Sequence, residues 1–492
     1  MRFFQGLQIA SALIVGCLAA SARGQYYTIY PIAPNGPFAG AYAYGINDNG
    51  DITGVGFDPV TGEDHAFIYS NGIMQDLGDF GYPYGADGIA INDSDQLAAI
   101  GYGPGYQALR YSNGAAHRIG NIDGGYTEGL SINSSGNIVG RGMNGDGGYQ
   151  GFTYIGGIFT ALGVDKAESI NNANDYVGSI GYYWVYGGYV HGVEHAFLYS
   201  GGTTTDLGDI GGGVRTNTEA YALNNLDQVV GYSTAADGTI HGFLYSGGVM
   251  QDIGTIPPYY AYPCAINDSG LIVGNLETYV GGPVGPFIYS GGMMRQLADV
   301  LDSSGDAWTG LTITALNNSG RIVGYGTYNG NGEGFVAIPT LPVSGVVVLE
   351  NYSASAVAGT PVTVEVRAPG STTALDSQVV NLASDGSFTL STQLPAGTYD
   401  VAAKAGHWLR RRLSNVAITG SGASGLSLSL VNGDVNGDNS VSLADFGQLK
   451  LAYGSNASSS NWNPNADLDG NGSVGLSDFG ILKLHYGAAG DQ

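Results

Sequence analysis

Cysteine is nearly absent from this chain: Cys17 and Cys264 are the only two. Cys17 falls in an N-terminal segment that reads as a removable leader, so no intramolecular disulfide is expected, and Cys264 serves as a small buried hydrophobe. Basic residues are scarce as well. Sixteen Lys and Arg stand against 41 Asp and Glu, a net charge of −25. Such a chain does not bind nucleic acid by neutralising phosphates, nor an anionic membrane surface. Past the N-terminus no apolar run is long enough for a transmembrane segment. In their place stand 84 Gly, 34 Tyr and 43% hydrophobic residues. That mixture means many turns and many short strands rather than disorder.

Residues 1–24 combine an early Arg, an apolar run and small residues, as a secretory signal peptide does, with cleavage after Ala22 or Gly24. Ile14-Val15-Gly16-Cys17 also fits a lipobox, which would make Cys17 a lipidated anchor. Either route predicts a secreted protein, extracellular or at the cell surface.

Self-similarity begins directly after this segment. GINDNGDITGVG (Gly45 to Gly56) returns six times, its asparagine standing at Asn47, Asn92, Asn133, Asn171, Asn224, Asn267 and Asn317. Intervals of 38 to 53 residues suit one four-stranded propeller blade each. A second phrase, HAFIYSNG at His65 and HAFLYSGG at His195, follows each copy, and a DLG phrase follows the first six. Apolar-x-Asn, a tight Asp/Asn-Ser-Gly turn and an apolar run read as strand, turn, strand. The seventh unit lacks its DLG strand, whereas YYTIYPI (Tyr26 to Ile32) is one strand too many at the start. A closed ring explains both, and a seven-bladed β-propeller is expected over residues 25–341. These units resemble the HAF family of extracellular repeats, named for the His-Ala-Phe seen at His65 and His195. The resemblance implies fold and location more than activity.

Catalytic signals are weak. Asp48, Asp93 and Asp268 recur in the turns, where Asx side chains bond the backbone; other copies use Ser or Asn there. Asp64, Glu194, Asp209, Glu219 and Glu277 are scattered without the paired placement that glycosidic cleavage needs. His191 and His195 lie four apart on a loop and strand, a poor metal pair. Tyrosine clusters at Tyr42–Gly45, Tyr182–Tyr189 and Pro257–Pro263 suit stacking on sugar rings, or packing between blades.

Residues 342–431 turn to alternating Val, Thr and Leu, and read as a β-sandwich spacer. PAGTYDVAAKAGHW resembles the prealbumin-like or carboxypeptidase-regulatory-like modules. Arg410-Arg411-Arg412, a basic run, is expected at a solvated strand edge, with docking to an acidic neighbour as the alternative.

In residues 432–492 a twelve-residue segment occurs twice, DVNGDNSVSLAD (Asp434 to Asp445) and DLDGNGSVGLSD (Asp467 to Asp478). Oxygen ligands on alternate residues, closed by a carboxylate at the twelfth, are what a wrapped Ca2+ requires. Loop one offers Asp434, Asn436, Asp438, the Ser440 carbonyl, Ser442 and Asp445. Loop two offers Asp467, Asp469, Asn471, the Ser473 carbonyl and Asp478. Two ions are therefore expected. Gly472 and Asn439 occupy the sharp-turn position, and Val441 and Val474 are expected to pair the loops. FGQLKLAYG and FGILKLHYG after the loops read as short amphipathic helices. The pattern resembles a type I dockerin, over residues 432–488, and implies a cohesin-type partner. At loop positions 10 and 11 stand Leu443-Ala444 and Leu476-Ser477, which either set that partner or cover a neighbouring domain.

The expectation is a mainly all-β, non-catalytic binding or structural protein attached to an extracellular assembly through its C-terminus, its propeller holding an unknown ligand, possible polysaccharide among them. The alternatives are a glycoside hydrolase of polysaccharide catabolism carrying a dockerin, and a surface-layer protein with the dockerin as an internal calcium staple.

Overall fold

The computed structural model describes residues 26–492 other than 33–35, 146, 187–188 and 213–215, and the side chains of 183–191 are likewise not described. The leader expected over 1–24, with its cysteine at position 17, lies outside the described residues. The described chain forms two compact units, Tyr26–Thr340 and residues 341–492. Among the described residues no helix is long and apolar enough to cross a membrane.

The first unit is a succession of antiparallel four-stranded sheets of the kind found in propeller blades. Six sheets each use four consecutive strands, the first being Ala41–Ile46, Ile52–Phe57, Asp64–Ser70 and Ile73–Gly78. The last sheet is completed from the other end of the chain. Tyr26–Pro31 pairs antiparallel with the strand Asn331–Leu349, Tyr26 opposite Thr340 and Pro31 opposite Phe335.

What holds the sheets in a circle is the repeated asparagine. Each is buried at the turn between the first two strands of its sheet. Its Oδ1 accepts the backbone N–H four residues on, at 2.8–3.1 Å in all seven copies. Its Nδ2 donates to the backbone carbonyl of the next asparagine, from Asn47 to Asn92 and on around to Asn317, whose Nδ2 reaches Asn47 at 2.9 Å. One end of the amide shapes its own turn while the other ties it to the neighbour. Aspartate would supply only the first. The fourth residue of the turn has φ near +50° to +90°, and is Gly50, Asp95, Gly136, Asn174, Asp227, Gly270 or Gly320. Only Gly, Asn and Asp occur there, the residues that tolerate left-handed backbone.

Within the sheets, size is matched across strands. Gly54, Gly140, Gly178, Gly231, Gly274 and Gly324 lie opposite Phe67, Phe152, Phe197, Phe243, Phe287 and Phe335. A Cβ on Gly54 would fall 1.9 Å from the Tyr42 carbonyl oxygen, and the other five would meet the equivalent oxygen within 2.3 Å. In the second sheet the pair is Ala99 and Leu109. The larger small residue faces the smaller large one. Each of these Phe rings is fully buried, worth roughly 2–3 kcal/mol apiece.

In the second unit, Leu341–Leu349 pairs with Ser387–Thr392 and, in parallel, with Ala423–Leu430. Ala374–Asn381, Pro361–Arg367, Gly397–Ala405 and Arg411–Ile418 form a four-stranded sheet. Val343, Val364, Phe388, Val401, Trp408 and Leu428 fill one core drawn from both. In the PAGTY turn the Tyr399 hydroxyl donates to the Pro395 carbonyl at 2.9 Å. Helices Leu443–Ala452 and Leu476–Leu484 follow, each opened by a carboxylate that accepts from the backbone before it. They share a small core that includes Val441, Leu449, Val474 and Leu482.

Candidate metal loops and aromatic clefts

In the first loop Asp434 is fully buried. Its Oδ2 accepts from Lys404 Nζ at 2.8 Å and from Asn439 N at 3.0 Å, and its Oδ1 has no hydrogen-bond partner. A buried carboxylate oxygen without a donor is costly unless a cation completes it. Asp445, also fully buried, accepts from Asn436 N and from Ser442 N and Oγ. Asp438 accepts from Ser440 N and Oγ, which holds its carboxyl below the ordinary carboxylate range. In the second loop the carboxylates of Asp467, Asp469 and Asp478 converge within 4.8 Å of one another. Asp467 is pushed up, by burial first and by its acidic neighbours. Asn471 Oδ1 accepts from Ser473 N and Oγ. All these donors are oxygens, and they fit a hard cation such as Ca2+.

One detail differs from expectation. Val441 and Val474 do not pair with each other. Val441 bonds Gly487 and Ala488 beyond the second helix, and Val474 bonds Gly454 and Ser455 beyond the first. Each loop is closed by the tail of the other half, because the turn after each helix supplies free backbone beside the opposite loop. The basic run opens the edge strand Arg411–Ile418, where Arg411 is exposed, but it also reaches the C-terminal segment. Arg410 N donates to Asn439 Oδ1 at 2.7 Å, Arg412 N donates to Asp491 at 2.7 Å, and Arg411 pairs with Asp491 at 3.8 Å. Lys404 and Arg410 thus reach the first and the sixth residues of the first loop.

The two helices present matched apolar residues to solvent. Leu443 and Leu476, Leu451 and Leu484, and Tyr453 and Tyr486 occupy equivalent places and are 52–75% exposed. The neighbouring Phe446 and Phe479 pack on each other at 5.8 Å instead. Solitary exposed leucines are ordinary, but three pairs repeated in register mark a surface that something covers.

In the first unit the turn aspartates are absorbed into structure. Backbone N–H groups of Asp48, Ser134, Asn172, Asn225, Asp268 and Asn318 each donate to the side chain that follows the next asparagine, Asp93 and Asp268 among the acceptors. His65, His195 and His241 each face the aspartate eleven residues on, at 2.8–3.1 Å, and the His191 side chain lies outside the described residues. Of the five scattered carboxylates, two come together. Glu194 and Glu219 share Lys166 with Glu168, and the Tyr232 hydroxyl donates to Glu219 at 2.6 Å. Burial pushes Glu168 and Glu194 up, while hydrogen bonds from Lys166 and Tyr232 offset burial and hold Glu219 down. Lys166 and Glu168 escaped the sequence reading, although Asp87, Glu128, Lys166 and Glu219 all stand five residues before the repeated asparagine.

The tyrosine clusters of the sequence are mostly packed away. Tyr42 and Tyr44 lie half-buried on Tyr325, and Tyr262 on Tyr232. Tyr182 is exposed beside His195, and the rest of its cluster lies outside the described side chains. The exposed rings gather elsewhere. Tyr84, Tyr106, Tyr126 and Tyr149 line a cleft of about 430 Å³ with the Glu128–Arg141 ion pair. These four rings are 42–64% exposed, and they lie at the end of the sheets opposite the asparagine ring, three in connections and Tyr149 at the start of a strand. A second cleft of about 520 Å³, lined by Phe80, Tyr82, Gln107 and Arg118, adjoins it at Gly103. Three loops and the start of one strand contribute one tyrosine each to the first cleft, so no local cluster announced it.

Comparison with known proteins assigns part of this. The type I dockerin domain model matches residues 432–485. No curated protein matches the chain. Among solved structures, a C-terminal interface mutant of the type II cohesin–X-dockerin complex from Acetivibrio cellulolyticus is 24% identical, with 30% of this chain and 97% of that chain covered and a TM-score of 0.26. The β-propeller domain of the trilobed protease from Pyrococcus furiosus is 11% identical over 52% of this chain and 83% of its own, with a TM-score of 0.37. The six-bladed Aleuria aurantia lectin is 13% identical over 48% and 84%, with a TM-score of 0.28.

Proposed function

We propose that this is a secreted, non-catalytic component of an extracellular assembly, tethered by its calcium-loaded dockerin to a cohesin-bearing partner and binding carbohydrate through a seven-bladed propeller. The observation that carries the tether is the set of matched exposed residues on two helices within a domain of the type I dockerin family. Leu443, Leu451 and Tyr453 on one half, and Leu476, Leu484 and Tyr486 on the other, give two equivalent apolar faces, so either half can dock. Each loop holds one Ca2+, through Asp434, Asn436, Asp438, Ser440, Ser442 and Asp445 in the first and Asp467, Asp469, Asn471, Ser473 and Asp478 in the second. The ion neutralises converging carboxylates and fixes the helix that follows; binding is folding here. The β-sandwich between propeller and dockerin is a spacer. Seven asparagine links closing on Asn47 support the blade count.

Capture on a panel of immobilised cohesins, with calcium and with chelator, tests the tether. Capture is expected to need calcium, to survive Leu443→Asp or Leu476→Asp alone, and to fail in the double variant. Loss of capture in one single variant would mean that only that half docks. Capture by the double variant would overturn the assignment of these faces. A hydrolase is the second reading, favoured by the Glu194–Glu219 pair, whose surroundings push the two carboxyls apart. Release of reducing ends from polysaccharide, abolished by Glu219→Gln, would establish it.

A further inference from the structure

The two adjoining clefts differ in chemistry, and the difference names a ligand. In the cleft of Tyr84, Tyr106, Tyr126 and Tyr149, aromatic faces surround a carboxylate and a guanidinium already joined, Glu128 Oε2 to Arg141 Nε at 2.8 Å. Arg141 also lies over the Tyr149 ring at 5.3 Å. Its charge is balanced, and the cleft suits an uncharged pyranose, with rings stacking on C–H faces and the ion pair exchanging hydrogen bonds with hydroxyls. The neighbouring cleft holds the opposite arrangement. Arg118 is exposed, donates through Nε to the Tyr82 hydroxyl at 2.8 Å, and pairs with no carboxylate among the described residues. In a chain of net charge −25, an arginine without an acidic partner at a ligand-sized hollow is a selective feature. Its terminal amino groups match the planar, bidentate geometry of a carboxylate.

We infer that the two clefts form one carbohydrate site for an acidic oligosaccharide, the tyrosine cleft taking a neutral face of the chain and Arg118 the carboxylate of a uronic acid unit. The inference rests on the reading of the propeller as a carbohydrate receptor, and adds its place and its ligand class.

Calorimetric titration of the full mature chain, with calcium, should use tetragalacturonate and a neutral tetrasaccharide of xylose or glucose. Tetragalacturonate is expected to bind tighter. Arg118→Gln should weaken it about tenfold and leave the neutral ligand unchanged. Tyr149→Ala and Tyr84→Ala should weaken every bound ligand about three- to tenfold. All three side chains are exposed, so melting temperatures should hold. Equal binding of both ligands with no effect of Arg118→Gln would remove the acidic specificity. Binding indifferent to every variant would place the site elsewhere and overturn this inference, while the receptor reading stands. No binding to either ligand or to insoluble acidic and neutral polysaccharides would overturn both, leaving the cohesin tether to its own test.

Discussion

Two parts of this chain are written in nearly the same letters, Asn, Asp, Gly and Ser between apolar residues, and do different work. GINDNGDI around Asn47 and DVNGDNSV around Asp434 are hard to tell apart by composition. In the asparagine ring the repeated side chain finds both partners inside the protein, the acceptor in its own turn and the donor in the next sheet. In the loops the leading carboxylate keeps a buried oxygen without a donor, or stands among two others within 4.8 Å. An amide satisfies a structure from both ends, whereas a carboxylate can only accept, and in Asp434 Lys404 meets one oxygen and leaves the other open. Where the repeat begins with Asn it builds a scaffold, and where it begins with Asp it asks for a cation.

That contrast can be broken in order of expected effect. Chelation should act on residues 432–492 and spare the first unit. At calcium a hundredfold above Kd each site adds about 2.7 kcal/mol, so two sites add about 5 kcal/mol. Hydrogen exchange with and without chelator should show protection lost in both helices and kept in the blades. Protection lost in the blades as well would sink the division. Next is one substitution made in both settings. Asn133→Asp removes a donor and buries a charge, and should destabilise the first unit by about 3–5 kcal/mol in chemical denaturation. Asn471→Asp adds a ligand charge and should tighten calcium binding by calorimetry. Matching signs would refute the comparison. The smallest effect concerns Asp87, whose carboxyl is pushed up to about 6, mainly by burial. Between about pH 4 and pH 6 the folded chain keeps a proton that the unfolded chain has lost, so this group lowers stability as pH rises through that window. Asp87→Asn should therefore stabilise at pH 7 by about 1–2 kcal/mol and change little at pH 4. Equal effects at both pH values would exclude the carboxyl as the cause.

Much of this was legible in the residues themselves. Strand and turn follow from the asparagine phrase, because its chemistry is local to a few residues, and the twelve-residue loops are legible for the same reason. Contacts assembled from distant segments were not. Val441 meeting the tail after the second helix depends on how two halves interlock. The Tyr84–Tyr149 cleft takes its four rings from three connections and the start of a strand. Lys166 with its three glutamates depends on strands of two different sheets coming side by side. The Gly–Phe matching shows only when strands are laid beside each other.

The strand Asn331–Leu349 has a mechanical consequence. Its first half is laddered on both sides, to Tyr26–Pro31 and to Ile322–Tyr328, and its second half belongs to the second unit, paired with Ser387–Thr392 and Ala423–Leu430. If the C-terminus is anchored and the blades grip a polymer, tension enters the first unit along this strand. Antiparallel hydrogen bonds lie across the strand direction, so the two ladders meet the load in shear, many bonds at once, rather than unzipping one by one. A six-residue strand from the far end of the chain thereby acts as a rivet against pulling.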